Sequence, residues 1–316
     1  MSSTQTAPIV TKPTTGYSSL SLSLFYFKLF YSLIILIITL IFGVLPLSFN
    51  NCSKDSLTLN YANAFSGGIF LGIGLFHLFP DANSDFLNYF KTPEGKNSSI
   101  HGWPICYLLV FISYSFILYL EKVVFSNRQL INNNNKNISN LLNRDEVLDP
   151  LLDEEKVERK ISCNSHSSLN NIATTTPYIL LIALSIHGTF EGIALGVMNT
   201  HRNSFLLFIA IIVHKWAESF ALGISFFKSG FEKDKFIKMI VIFTLFCPIG
   251  IFIGMFFSDA GFLMRGIMLS LSCGTFLYVA TSEVIVEEFS LSQENGTKFL
   301  WYLFGSILTF VITLIR

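Results

Sequence analysis

Charged residues are scarce in this sequence: Asp, Glu, Lys and Arg make up 13% of its 316 residues. Soluble domains carry about 25%, so roughly half of the usual charge is missing. The net charge is zero, and no basic patch indicates a nucleic-acid partner. The five cysteines form no CxxC pair and no HExxH motif is present, which argues against a disulfide framework, a zinc finger and a metalloprotease.

Apolar residues are abundant instead. They make up 51% of the chain, with 33 phenylalanines and a mean hydropathy of +0.56. Several apolar runs approach about 20 residues, the length that an α-helix needs to cross a bilayer. We therefore predict an all-α polytopic membrane protein with eight transmembrane helices, at about 26–47, 61–80, 103–124, 177–198, 204–227, 236–257, 262–285 and 299–315.

The predicted spans divide the chain into regions. We expect a polar N-terminal tail at 1–25, helices one to three at 26–124, a disordered cytosolic loop at 125–176, and helices four to eight at 177–316. Disorder is predicted because the loop is polar and contains a run of asparagines. Most Lys and Arg fall in inner loops if both termini lie outside, as the positive-inside rule favours. On that topology Asn97 is an outward-facing N-glycosylation acceptor.

Two neighbouring predicted helices each carry a histidine and a glutamate four residues apart. His187 precedes Glu191 in the fourth helix, and His214 precedes Glu218 in the fifth. Residues four apart share one face of a helix, and ionisable groups in mid-membrane pair with one another or line an ion path. Two imidazoles and two carboxylates suit zinc and its borderline neighbours. A hydrogen bond within the helix would explain one pair, but two pairs at matching depth predict a divalent-metal site.

Lys215 follows His214 and cannot share the face of His214 and Glu218, because successive helical residues point about 100° apart. We interpret Lys215 as a fixed cation beside a single metal ion, where a second ion would otherwise sit. The alternative is a lysine that only packs, or that extends toward the membrane surface.

Further ionisable groups lie nearer the ends of the predicted helices. His77 and Asp81, again four apart, are predicted to collect cations on the outer side. The alternative is a solvated helix end, with Pro80 kinking or ending the span. Acidic residues toward the inner ends of the seventh and third helices are predicted to accept leaving ions, although charged helix ends are common: Glu283, Glu287 and Glu121.

Both metal-site helices contain the pattern E-x-x-A-L-G among other small residues. These residues predict close packing of helices four and five: Gly188, Gly192, Ala194, Gly196, Ala217, Ser219, Ala221 and Gly223. The sixth helix contains Pro248 with Gly250 and Gly254, which predict a kink or a close helix crossing.

Several of these stretches resemble the ZIP (ZRT/IRT-like) family of divalent-metal transporters. They follow the family's order: FSGGIFLGIGLFHLFPDA (65–82), YLEK (119–122), LSIHGTFEGIALGV (184–197), HKWAESFALG (214–223), CPIGIFIG (247–254) and GTFLYVATSEVIVEE (274–288). The resemblance implies eight helices in a 3+2+3 arrangement, with both termini outside and the metal site between helices four and five. It assigns His187, Glu191, His214 and Glu218 as metal ligands and makes Lys215 the mark of a one-metal site. The HExPHE signature of one subfamily is missing, so the chain resembles the other branches.

The resemblance implies a transporter that moves Zn²⁺ into the cytosol, with zinc as cargo rather than cofactor and Fe²⁺, Mn²⁺ or Cd²⁺ as alternative cargo. We expect a protein that is not an enzyme, lies in a lipid bilayer and binds no nucleic acid; a homodimer is left open. We expect the plasma membrane rather than an endolysosomal or other internal membrane, with both termini extracellular or lumenal. Two other functions would use the same groups: an intramembrane zinc-dependent hydrolase, and a metal sensor that does not transport.

Overall fold

A computed structural model describes residues 15–49, 57–125, 177–257, 261–290 and 294–315. These residues form helices, and no β-strand occurs among them. Eight of the helices are long and apolar enough to cross a membrane, which confirms the prediction of eight spans. In chain order, α1 to α8 are Thr15–Val44, Leu57–Tyr89, Ile105–Val124, Pro177–Val197, His201–Lys228, Lys233–Phe256, Gly261–Ser290 and Asn295–Ile315. Nearly all of the predicted loop at 125–176 lies outside the described residues.

The surface of this bundle is apolar, whereas several charged side chains are buried inside it. Phe111 and Leu314 are 67% and 69% exposed, while Glu218 is fully buried. Water would penalise such an arrangement, but lipid favours apolar side chains on the outside and paired polar groups within. The distribution therefore agrees with a bundle that is embedded in a bilayer.

Helix α2 continues well beyond Pro80, so the interpretation that this proline ends the span is wrong. The helix consists of an α-helical segment at Leu57–Ile73, a π-helical turn at Gly74–Leu78 and a second α-helical segment at Phe79–Tyr89. Proline has no N–H to donate and its ring crowds the preceding turn. The wider π turn directly before Pro80 accommodates both effects, and such turns are frequent at functional sites.

The helices pack into two groups. In the first group, α1 packs against α5 and α6, and α4 crosses α6 closely. In the second group, α2 packs against α8, while α7 packs against α3 and against the second half of α2. Helix α5 also contacts α2, so the boundary between the groups runs beside α5.

The sequence predicted that the glycines of α4 and α5 pack these two helices against each other. This is wrong for several of them. A Cβ atom on Gly192 would overlap the carbonyl oxygen of Cys247 in α6, and one on Gly196 would overlap that of Ile251. Gly192 lies one residue after the Glu191 face, a rotation of about 100°, so it faces another neighbour. These glycines of α4 therefore pack closely against α6, and the expected close crossing at the sixth helix is confirmed.

Two other glycines complete this correction. Gly223 of α5 packs against the carbonyl oxygen of Gly43 at the end of α1, rather than against α4. Gly188 does face α5, because a Cβ atom there would lie 3.0 Å from Nζ of Lys215. Polar side chains also join α4 to α5, since His187 and Glu191 of α4 contact Glu218, His214 and Lys215 of α5.

Candidate metal centre

Four ionisable side chains from α4 and α5 converge at the centre of the bundle. His187 lies at the middle of α4 with Glu191 one turn further on, and His214 lies at the middle of α5 with Glu218 one turn further on. All four side chains are at most 1% exposed. The helical repeat turns each pair toward the other helix, and the short connection between α4 and α5 keeps the helices adjacent.

The potential ligand atoms lie at separations that suit one ion. Nε2 of His187 is 3.4 Å from Oε1 of Glu218 and 3.8 Å from Oε2 of Glu191. Nε2 of His214 is 3.3 Å from the same Glu218 oxygen and 2.7 Å from Oε1 of Glu191. Four ligands placed tetrahedrally at zinc-binding distances lie about 3.3 Å apart. One ligand atom from each of the four residues can be chosen so that all lie within 4.8 Å of one another.

Four atoms of this cluster have no hydrogen-bond partner although they are buried. One is Nδ1 of His214, on the side of the ring away from the glutamates; the other three are Nε2 of His187, Oε2 of Glu191 and Oε1 of Glu218. Buried polar atoms in folded proteins almost always have a partner. Here a lone-pair nitrogen and two carboxylate oxygens point toward a common space, which is the arrangement that a divalent cation satisfies.

The second group of helices orients His187. Its Nδ1 donates a hydrogen bond to the carbonyl oxygen of Ser272 in α7 at 3.0 Å, and the Ser272 hydroxyl lies 2.9 Å from the same nitrogen. A carbonyl oxygen can only accept, so Nδ1 carries the proton and Nε2 keeps its lone pair. Phe276 stacks on the imidazole, with ring centroids 4.2 Å apart. Such outer contacts fix the ring of a metal-binding histidine.

Lys215 completes the centre on one side. Its Nζ donates to Oε2 of Glu218 at 2.8 Å and lies 3.6 Å from Oε2 of Glu191. The side chain is buried and does not extend to the membrane surface. With neutral imidazoles, two carboxylates and one ammonium leave one net negative charge, which a divalent cation more than balances. The ammonium lies on the side of the centre that faces α6.

His77 and Asp81 lie between the centre and one end of the bundle. Their Nδ1 and Oδ2 atoms are 3.5 Å apart, and the ring of His77 lies 6.5 Å from that of His214. These two imidazoles line one cavity of about 380 Å³ between α2, α5 and α8. Asp81 lines a second, more polar cavity of about 180 Å³ together with Asn203 and Arg265. We call this end of the bundle the Asp81 end.

The residues predicted for the exit do not form a single cluster among the described residues. Glu283 is buried in a π turn of α7, Val279–Val284. Glu121 lies at the end of α3 and forms an ion pair with the adjacent Lys122. The side chain of Glu287 lies outside the described part of the structure.

Sequence reasoning missed three ion pairs around two buried carboxylates. Arg265 of α7 binds Asp85 of α2 through two nitrogens, and Glu288 of α7 binds Lys228 and Lys298. Asp85 follows Asp81 by one helical turn, which is a signal that it shares the inward face of α2. The two lysine partners of Glu288 lie on α5 and α8, so the sequence around Glu288 alone carries no comparable signal.

Eight membrane-length helices surround a buried cluster of side chains that could bind a metal ion, as in a polytopic membrane protein that handles cations. The family model described as "ZIP Zinc transporter" matches residues 25–313, so the chain belongs to the ZIP zinc transporter family.

Curated relatives agree with this assignment. Zinc transporter ZIP1 of Danio rerio is 26% identical over 295 residues, covering 86% of this chain and 92% of the relative. Zinc transporter 11 of Arabidopsis thaliana is 26% identical over 305 residues, covering 92% of this chain and 86% of the relative. Protein zntD of Dictyostelium discoideum is 38% identical over 120 residues, which cover 36% of this chain and 18% of that protein.

Proposed function

We propose that this protein transports zinc across its membrane toward the cytosol, and that the ion passes through a site formed by His187, Glu191, His214 and Glu218. The observation that carries the proposal is the convergence of these four buried side chains, with three unpartnered atoms facing one another. Membership of the ZIP family and the printed functions of its relatives support zinc as the cargo.

The donor set favours transport over permanent binding. A carrier must hold its ion selectively and still release it in each cycle. Two imidazoles and two carboxylates bind zinc less tenaciously than a cage of thiolates, and their charge can be shared with neighbouring groups once the ion has left. Zinc is then cargo rather than cofactor. Because both glutamates serve as ligands, neither is left as the general base that a hydrolase would need, and we propose that the protein is not an enzyme.

The site is proposed to hold one ion at a time. Lys215 supplies the positive charge that a second metal ion would bring, and it occupies Oε2 of Glu218. Oε1 of the same carboxylate remains available to the cargo. This division of the two oxygens supports the interpretation of Lys215 as a built-in cation.

The path is proposed to run from the Asp81 end to the Lys228 end of the bundle. His77 and Asp81 would receive the ion, since both cavities that they line lie along the half of α5 between His201 and His214. Glu283, Glu287 and Glu121 would receive it on leaving. The Asp81 end and both termini are proposed to lie outside the cell, and the membrane is proposed to be the plasma membrane.

Uptake of radioactive zinc into cells that express the chain tests this function. His187→Ala and Glu218→Ala should reduce uptake to the level of untransfected cells, because each removes a ligand. Glu232→Gln, at an exposed carboxylate before α6, is the matched control and should leave uptake unchanged. Normal uptake in both site variants, with surface expression equal to wild type, would rule the proposal out.

A further inference from the structure

Glu288 of α7 is a fully buried carboxylate at the end of the bundle opposite Asp81. Its Oε2 accepts from Nζ of Lys228 at 2.9 Å and from the side-chain amide of Asn63 at 3.1 Å. Its Oε1 lies 3.1 Å from Nζ of Lys298, which also donates to the backbone oxygen of Glu288 at 2.9 Å. Two ammonium groups therefore share one carboxylate.

The partners of Glu288 belong to different groups of helices. Asn63 lies on α2 and Lys298 on α8, so both are in the second group with Glu288 itself. Lys228 is the last residue of α5, which belongs to the first group and carries half of the metal centre. The Lys228–Glu288 pair therefore joins the two groups at the Lys228 end, and the other contacts of Glu288 stay within one group.

Because the other partners of Glu288 stay with it in the second group, the Lys228–Glu288 pair can break at little cost. If Lys228 moves away, Glu288 keeps the ammonium of Lys298 and the amide of Asn63, so no buried charge is left unpaired. Lys228 is 14% exposed at a helix end, and its long side chain can turn toward water. A pair of this kind holds two parts of a bundle together without fixing them permanently.

We propose that the Lys228–Glu288 ion pair is a gate that holds α5 against the second group and closes the metal centre from the Lys228 end. The proposal rests on the proposed function, because a gate matters only if an ion leaves on this side. The cavity of about 380 Å³ that His214 lines lies toward the Asp81 end. The cavity of about 460 Å³ at the Lys228 end, lined by Phe227, Gly230 and Lys233, includes none of the four site residues, as expected for a conformation that is closed at that end. In this account Glu288 is a gating group and does not bind the departing metal.

A thiol-labelling experiment on the full chain tests the gate. Ser225, buried in α5 one turn before Lys228, is replaced by cysteine. A membrane-impermeant maleimide is applied to vesicles from the Lys228 side, and labelling at residue 225 is quantified by peptide mass spectrometry. Lys228→Gln should speed this labelling by roughly threefold to fivefold, the range expected when a partly exposed ion pair is lost.

Two further variants show whether the effect belongs to the pair. Lys298→Gln removes an ammonium equally near Glu288 but within the second group, so labelling should stay at the starting rate. Lys233→Gln removes an exposed charge at the same end and should also have no effect. Equal labelling in Lys228→Gln and the starting protein, or an equal increase in Lys298→Gln, would overturn the gate.

The readout is separate from zinc transport. Faster labelling in Lys228→Gln without any zinc uptake by the wild type would keep the gate and refute the proposed function. Zinc uptake by the wild type with unchanged labelling would keep the function and refute the gate. In a transporting protein, Lys228→Gln should also raise the apparent KM for zinc from the Asp81 side, by a smaller factor than the labelling rate, because somewhat fewer molecules are open to that side.

Discussion

Nζ of Lys215 lies 2.8 Å from Oε2 of Glu218 at the centre of the bundle, while Oε1 of the same carboxylate faces both imidazoles of the site. In the proposed site, one oxygen of Glu218 binds the Lys215 ammonium and the other is left for the cargo. The ammonium stabilises the two buried carboxylates when the ion is absent, and the site can be empty during part of the transport cycle without unfolding.

Replacing Lys215 with methionine should therefore destabilise the zinc-free protein by about 3 kcal/mol, because it leaves two buried carboxylates without a fixed cation. Zinc should recover part of this loss, since it binds only the folded state. Thermal unfolding of the purified protein, with and without zinc, measures both effects. Lys233→Met is the control for loss of an exposed charge. An unchanged melting temperature in Lys215→Met would contradict the role of the ammonium.

Ser272→Ala should have only a small effect on transport. The hydrogen bond that sets the tautomer of His187 is accepted by the backbone carbonyl, which alanine retains. We expect the KM for zinc uptake to rise by less than about tenfold, the lower end of what loss of an outer hydrogen bond costs. Complete loss of uptake in a well-expressed variant would show that the Ser272 hydroxyl, and not its carbonyl, orients the ring.

Gly192→Ala should weaken the crossing of α4 and α6. The added Cβ would overlap the carbonyl oxygen of Cys247, so the helices must separate, and overpacking of this kind costs about 1–3 kcal/mol. A lower melting temperature of the purified protein is the expected result. Gly296→Ala is the matched control because nothing lies within 4 Å of the added atom there. Equal stability of the two variants would contradict the close crossing.

Glycosylation reports the orientation of the chain. Asn97 is exposed between α2 and α3 and begins the acceptor sequence Asn97-Ser98-Ser99. Digestion with an N-glycosidase should increase the mobility of the wild type on a gel, and Asn97→Gln should abolish this shift. Asn295→Gln, at an acceptor sequence predicted to face the cytosol, should retain it. A mobility shift that is lost in Asn295→Gln would show that the chain has the opposite orientation in the membrane.

The four site residues could be predicted from sequence because their signal is local. A spacing of four fixes a shared helical face, and a short connection between α4 and α5 forces the two faces together. The number of spans was predictable for a similar reason, since apolar length alone decides whether a helix can cross a bilayer. The π turn before Pro80 could not be predicted, because a proline at this position is compatible both with a helix end and with a helix that continues.

Contacts between helices that are far apart in the chain could not be predicted from the sequence. The glycines of α4 could pack against any neighbour, and only the rotation of the helix directs Gly192 to α6 instead of α5. Glu287 and Glu288 are adjacent, so the sequence does not distinguish their roles. The two lysine partners of Glu288 are 60 and 10 residues away from it in the chain. The choice between a residue that binds the ion and one that holds helices together therefore required the three-dimensional arrangement.

The central claim is that one metal ion is held by two histidines and two glutamates contributed by α4 and α5. Equilibrium dialysis of the purified chain against radioactive zinc, with X-ray absorption spectra of the same sample, tests it most directly. We predict one zinc ion per chain at this site, two imidazole ligands in its spectrum, and loss of that ion in His214→Ala. Two ions at the site, or one bound ion that persists in His214→Ala without imidazole ligands, would contradict the account.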